Sequence, residues 1–406
     1  MKTSLEGIKV LDLSRVLAGP WAGQLLGDYG ADVVKIERPG QGDDTRCWGP
    51  PWLGSESAYF LSTNRNKRSV AVDLSTPRGQ QVIRDLAREA DVLFENFRVG
   101  TLVRYGLDPQ ELMAANPGLI VCSISAFGQR GGRAAEPGYD AMIQASAGLM
   151  SITGAADEDG GGPQKVGVAV ADLMAGMYAA TAVLAALHAR ASSGRGQLID
   201  VPLYDSQVAW LANQNMNYLV GGSVPVRMGT AHPNLVPYQA FRTADGNLML
   251  AVGNDRQFAE GMACVGCPEI ADDEAYANND ARVRNRERLV TIIQEQLLLN
   301  TTAHWLEAFA EHGVPAGPIN DIGEVLSNDH ARERGLVRHI DNGAGDAVPS
   351  VSNPVSFSAT PVTYERAPPL LGEHTGEVLQ QWLGYSDELI EELSSASAIQ
   401  VISAAL

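Results

Sequence analysis

Asp172 stands where an extended apolar run, Val166-Gly167-Val168-Ala169-Val170-Ala171, passes into a long apolar stretch. An aspartate at a helix start is ordinarily a cap. Two features point past that role. The following stretch is too apolar for a surface helix, so the carboxylate is flanked by buried structure, and Gly176 one turn later leaves space for a close approach. A helix N-terminus favours the ionised form, and an ionised carboxylate can attack an activated acyl carbon. Arg38 follows the strand-like residues 32–37 and precedes Pro39-Gly40 and Gly42-Asp43-Asp44. Ligands of open parallel sheets bind at strand ends, although such an arginine read alone is a surface charge. Cys264 and Cys267 form a CxxC with no second CxxC or His pair, so with Cys47 and Cys122 they read as packed thiols, and no metal is expected.

The elements that must position these groups alternate. Residues 8–13 are apolar and extended, 20–29 helical, and 32–37 the next strand. The unit recurs as strand 69–73, helix 77–90 and strand 92–95. Thr76 is the predicted cap, Pro77 takes the first helical position, and Val82, Ile83, Leu86 and Ala90 share one face. Repeated βαβ spacing implies a parallel sheet covered by helices. No GxGxxG follows Leu13, only Ala18-Gly19-Pro20, so the pattern argues against a bound dinucleotide. From about residue 221 the character changes. Ala240-Phe241-Arg242, then Asp245-Gly246, then Leu248-Met249-Leu250-Ala251-Val252 predicts a hairpin. Residues 282–299 and 303–311 read as helices, the second capped by Thr302, and 377–383 as another. The predicted divisions are 1–205, the first part of a large domain; 206–225, a linker; 226–325, a smaller α+β domain; and 326–406, a linker and a tail rejoining the large domain.

At 406 residues, 45% of them hydrophobic, the chain is long enough for two globular cores. A net charge of −18 with no basic cluster argues against nucleic acid, so cations for an anionic substrate must be local. The start, Met1-Lys2-Thr3-Ser4-Leu5-Glu6, lacks a signal-peptide pattern, and the apolar run 173–187 is short for a bilayer and reads as a buried helix. A cytoplasmic protein without membrane contact is the expectation.

A series of short segments carries a resemblance over nearly the whole chain. Val10-Leu11-Asp12-Leu13-Ser14, Ala18-Gly19-Pro20, Gly30-Ala31-Asp32-Val33-Val34-Lys35-Ile36-Glu37 and Gly42-Asp43 come first. Asn66-Lys67-Arg68-Ser69, Glu95-Asn96-Phe97, Val170-Ala171-Asp172-Leu173-Met174-Ala175-Gly176, Gly194-Arg195-Gly196-Gln197 and Pro369-Leu370-Leu371-Gly372-Glu373-His374-Thr375 follow in order. Together they resemble the family III (CaiB/BaiF) CoA-transferases. The resemblance implies an α/β fold: a Rossmann-like large domain built from both termini, a smaller domain between, and an interlocked homodimer. It implies that Asp172 is the nucleophile, that Val16, Arg38, Leu74, Ser75, Asn96, Phe97 and Arg104 lie along a CoA substrate, and that Tyr139 and Asp140 lie beside the thioester. No permanently bound cofactor is implied.

Leu17 stands where formyl-CoA transferases carry a glutamine, which argues against formate and oxalate. Instead, Gly229-Thr230-Ala231-His232-Pro233, Val236-Pro237-Tyr238-Gln239-Ala240-Phe241, Gly253-Asn254 and Gln257-Phe258 resemble the succinyl-CoA-dependent glutarate and itaconate enzymes. A dicarboxylate needs a cation for its remote carboxylate. Arg15, Arg46, Arg227 and Arg256 are available for it, and His232 could donate a hydrogen bond. The α-methylacyl-CoA racemases of the same superfamily pair the helix-start aspartate with a histidine in Gly-His-Asp. Here the triplet is Gly138-Tyr139-Asp140, and a neutral phenol is a poor base near pH 7. A non-catalytic CoA-binding protein is the remaining alternative, and the intact Asp172 speaks against it.

Overall fold

The computed structural model describes residues 2–343, 345 and 347–402. One compact unit runs to Leu149, resumes over Val166–Gly222 and resumes again from His330. Its sheet holds six parallel strands: β1 (Lys9–Asp12), β2 (Asp32–Glu37), β3 (Lys67–Val72), β4 (Val92–Glu95), β5 (Ile120–Ser125) and β6 (Leu198–Pro202). They lie in the order 3-2-1-4-5-6, and Ile399–Gln400 adds antiparallel to β3 at one edge. This is the doubly wound order, which reverses direction between β1 and β4 and opens a crevice at their C-terminal ends.

Successive strand residues point to opposite faces, and here both faces are covered. Val10, Val33, Val92 and Phe94 pack towards α1 (Ala18–Asp28) and the later α4 (Val170–Ser193). Leu11, Val34 and Leu93 pack towards α2 (Pro77–Glu89) and the C-terminal helix Thr375–Leu383. Thr76 accepts from the Gly79 N–H at 3.0 Å, with Pro77 at the first helical position, as the sequence pattern predicts. β3 starts earlier than its apolar residues suggest, because Lys67 and Arg68 are buried in ion pairs with Asp12 and Asp32.

Between the strands, α3 (Asp140–Ser146) precedes α4. The helix α4 is buried on one face only, through Ala171, Ala175, Ala179 and Val183, whereas Met177 and Tyr178 are exposed. It is the one described helix long and apolar enough to cross a membrane, and its alanine face packs on α1 as a core helix does. The space left by Gly176 is taken by protein: a Cβ there would lie 2.6 Å from the Ala18 carbonyl oxygen and 3.2 Å from Trp21. Beyond β6 follow α5 (Leu203–Trp210) and α6 (Asn213–Gly221), the second with no buried residue.

The other unit comprises Met150–Lys165 and Ser223–Asp329. Strands β7 (Tyr238–Arg242), β8 (Asn247–Ala251) and β9 (Ala316–Pro318) form an antiparallel sheet with β8 in the middle. Its core includes Phe241, Leu248, Phe258, Leu289, Trp305 and Phe309. Residues 150–165 fall here, not with the first unit, because Gly229 N–H donates to the Gly154 carbonyl at 3.0 Å and Arg227 pairs with Asp157. The helix predicted over 282–299 is two helices, Asn279–Arg284 and Arg286–Leu297, broken at Asn285. The cap of Thr302–Glu311 is Thr301; the Thr302 hydroxyl instead engages Asp245 at 3.0 Å.

Gly176 therefore sets how closely α1 and α4 approach. Gly176→Ala should lower unfolding stability by about 1–3 kcal/mol, the usual cost of overpacking, as read by chemical denaturation. An unchanged midpoint would show that the helices separate without penalty.

Candidate active site

A layer of buried charge underlies the crevice between β1 and β4. Lys35 Nζ donates to Asp43 at 2.8 Å and to the Ser14 carbonyl at 2.9 Å. Lys67 Nζ donates to Asp12 at 3.0 Å and to the Pro20 carbonyl at 2.8 Å. Glu37 accepts from Arg46 at 2.7 and 2.8 Å, from Asp43 N–H at 2.9 Å and from Ser69 Oγ at 2.6 Å. Burial raises the Asp43 pKa, but the Lys35 ammonium and Thr45 donors outweigh it and hold the carboxyl down at about 2. Burial lowers the Lys67 ammonium to about 8 despite Asp12. Buried charges are tolerated when paired and hydrogen-bonded in this way.

The network shapes the turn after β1. Asp43 accepts from the Val16 N–H at 3.2 Å, and Val16 sits at φ 71°, a conformation that a β-branched residue adopts only under constraint. The side chain of Asn96, after β4, clamps the same turn: Arg15 N–H donates to its Oδ1 at 2.8 Å, and its Nδ2 donates to the Arg15 carbonyl at 2.7 Å.

Two cavities open there. The larger, about 450 Å³, is lined by Arg38, Leu74, Ser75 and Tyr105 among others. The smaller, about 230 Å³, is lined by Val16, Leu17, Asn96, Tyr139, Leu203 and Asp172 among others. Arg15, Phe97 and Arg98 line both. The crevice thus gathers Val16, Arg38, Leu74, Ser75, Asn96, Phe97, Tyr139 and Asp172. Arg104 lines neither cavity; its guanidinium donates to Thr101 Oγ at 3.0 Å.

Asp172 is the third residue of α4, and the N-cap Ala169 makes no side-chain bond. Asp140 caps the helix from outside, accepting from Ala171 N–H at 2.8 Å and from Gln144 at 2.7 Å. Asp140 is buried and lines neither cavity, and its charge acts on Asp172. The Asp172 carboxylate makes no hydrogen bond or ion pair among the described residues. Burial, with the Asp140 carboxylate adding to it, pushes its pKa up to about 7. The ionised state expected from the helix N-terminus is thereby opposed, since desolvation disfavours charge.

The cations proposed for a remote carboxylate separate clearly. Arg46 is removed: it is buried, bound to Glu37 and 2.7 Å from Glu56, and stacked 3.7 Å from the Phe60 ring. Arg227 and Arg256 belong to the second unit, where Arg227 pairs with Asp157. His232 is in that unit too; its Nδ1 accepts from Asn234 N–H at 3.0 Å and its ring packs on Tyr238. Arg15 alone of the four lines the cavity that holds Asp172.

Sequence reasoning missed Arg98, Tyr105 and Tyr59. The strand-end rule that marked Arg38 after β2 also marks Arg98 after β4. Nothing in the pattern marks Tyr59, whose phenol is pushed up to about 12 by burial and by Asp172, Asp140 and Asp43. Glu95 is pushed up to about 7 by burial, and it accepts from Phe97 N–H at 2.9 Å. Among the described residues no group of three or more His, Cys, Asp or Glu is placed to hold a metal ion, and the four cysteines are free.

Comparison with known proteins places the chain in a family. The family model described as CoA-transferase family III matches residues 5–375. A succinate–glutarate CoA-transferase of Agrobacterium fabrum is 49% identical over 94% of this chain and 96% of its own. The succinyl-CoA:glutarate CoA-transferase of Homo sapiens is 43% identical over 97% of this chain and 90% of its own. The crystal structure of a CaiB/BaiF family protein from Brucella suis superposes with a TM-score of 0.82, at 44% identity, covering 94% of this chain and 100% of that one. With a doubly wound sheet, paired cavities at its switch point and a family match across most of its length, this chain belongs to CoA-transferase family III and is a CoA-transferase acting on CoA thioesters.

Proposed function

We propose that the enzyme moves CoA from succinyl-CoA to a dicarboxylate of the glutarate or itaconate kind, with Asp172 as the nucleophile. The observation that carries this reading is the Asp172 carboxylate, without a hydrogen bond or ion pair among the described residues, in a cavity that shares a wall with a larger one. The larger cavity suits the nucleotide end of CoA, with Arg38, Leu74 and Ser75 around it. Val16, Asn96 and Phe97 follow the pantetheine arm, and Tyr139 lies near the thioester. The relatives named for succinyl-CoA and glutarate support the choice of acids.

The chemistry divides one hard exchange into easier steps. A carboxylate oxygen of Asp172 attacks the donor thioester carbon, the C–S bond breaks, and CoA leaves as a thiolate. The thiolate then attacks the Asp172 carbonyl of the mixed anhydride, releasing the donor acid as its carboxylate. The acceptor carboxylate attacks the resulting aspartyl thioester and expels the thiolate. Attack of that thiolate on the acceptor's acyl carbon yields the new CoA ester and restores Asp172. Water must stay out, because each intermediate is hydrolysable. An interlocked homodimer belongs to the same proposal; the exposed Trp210, Met216, Leu219 and Val220 on α5 and α6 support a covering partner.

With succinyl-CoA as donor, glutarate or itaconate should be converted to its CoA ester. Asp172→Ala should cut that rate by about 10³-fold or more, with the Kd for free CoA little changed. Transfer surviving in the variant would remove Asp172 from the mechanism.

The elevated pKa gives a second expectation. Protonated Asp172 cannot attack, so kcat/KM should fall as pH drops below about 7. Asp140→Asn keeps an acceptor for the Ala171 N–H but removes the neighbouring charge, so the acid limb should move to lower pH. An acid limb unmoved in the variant would mean that another group titrates.

A further inference from the structure

Resting on that dicarboxylate reading, we propose that Arg15 is the specificity-determining residue for the remote carboxylate of the transferred acid, which it takes up in exchange for Asp44. A second carboxylate entering the smaller cavity meets Asp172, Asp44 and Glu136 on its walls, so it needs a cation close by. Lys35, Lys67 and Arg46 are consumed by buried ion pairs below the crevice. Arg15 and Arg98 remain on the cavity wall.

Geometry distinguishes these two. The Arg15 backbone is fixed on both sides by Asn96, at 2.8 and 2.7 Å, and its guanidinium lies 5.3 Å from the Phe97 ring centroid. A guanidinium lying against a ring keeps its planar edge for bidentate binding of a carboxylate. Arg98 has no side-chain partner among the described residues to hold it in one orientation.

Arg15 also faces a carboxylate already. Its Nη1 lies 3.6 Å from Asp44, beyond hydrogen-bond distance, and both side chains are about half exposed, at 48% and 59%. Such a pair is weak. Asp44 therefore acts as a loosely held stand-in, which a substrate carboxylate can replace without breaking a strong bond.

The test uses the full-length enzyme with succinyl-CoA as donor and compares kcat/KM for glutarate and for pentanoate, which lacks the second carboxylate. A common donor cancels any effect on donor binding. Arg15→Met should reduce the glutarate-to-pentanoate ratio by about 10- to 100-fold, the range for one charge-assisted bond. Arg15→Lys, which keeps the charge without the planar fork, should lose less. Asp44→Asn should lower the glutarate KM by removing the competing carboxylate. The Kd for free CoA, measured calorimetrically, shows that each variant is folded. An unchanged ratio in Arg15→Met overturns the proposal, and so does a collapse of the ratio in Arg98→Met alone. A rise in the CoA Kd with the ratio intact overturns it as well, by assigning Arg15 to the CoA phosphates. Failure of the wild-type enzyme to use any dicarboxylate would appear before any variant is made, and it would overturn the underlying reading.

Discussion

The ion pair between Lys35 and Asp43 is the contact on which the site depends. Both side chains are fully buried, so the pair survives only because every charge is answered. Lys35 also ties down the Ser14 carbonyl, and Asp43 also receives the Val16 N–H, so one pair fixes both ends of the turn after β1. That turn holds Val16 in the left-handed region, presents Arg15 to both cavities and starts α1. Against α1 rests α4, and near the head of α4 sits Asp172. Removing one partner would leave the other charge buried and unanswered, which commonly costs 3–5 kcal/mol. The loss would reach the turn and the α1–α4 packing together.

The surroundings of Asp172 hold a tension of another kind. As the proposed nucleophile Asp172 must be ionised, yet burial and Asp140 hold its pKa near neutrality. A carboxylate without hydrogen-bond donors is poorly stabilised as a charge, and that same poverty of solvation leaves it reactive towards an acyl carbon. Asp140 does two things at once. It satisfies the Ala171 N–H, so that α4 can begin inside the protein, and it keeps that N–H from stabilising Asp172. Tyr59, whose phenol remains protonated, is a neutral donor in the neighbourhood of these carboxylates.

Much of this was legible in the sequence wherever a local pattern carried the information. Thr76-Pro77 declared the start of α2, and the alternation of apolar runs declared the parallel sheet. What failed depended on partners distant in the chain. The strand read over 69–73 starts at Lys67 because Asp12 and Asp32, which pair with Lys67 and Arg68 in β3, lie far upstream. Arg46 read as a free cation because Glu37 and Glu56 are neighbours only in the fold. Gly176 read as open space one turn from Asp172, and the structure fills that space with the backbone of α1. The residues around Asp172 were recognisable as a resemblance before any geometry existed, whereas its elevated pKa needed the position of Asp140.

If the proposed chemistry holds, Asp172 becomes covalently acylated during transfer. Enzyme mixed with succinyl-CoA and quenched within one turnover by hydroxylamine would carry a hydroxamate at any activated carboxyl. Peptide mass analysis should place that mark on the segment containing Asp172, dependent on succinyl-CoA and absent from Asp172→Ala. A mark on another carboxylate, with Asp172 unmodified while transfer proceeds, would show that Asp172 is not the acylated group.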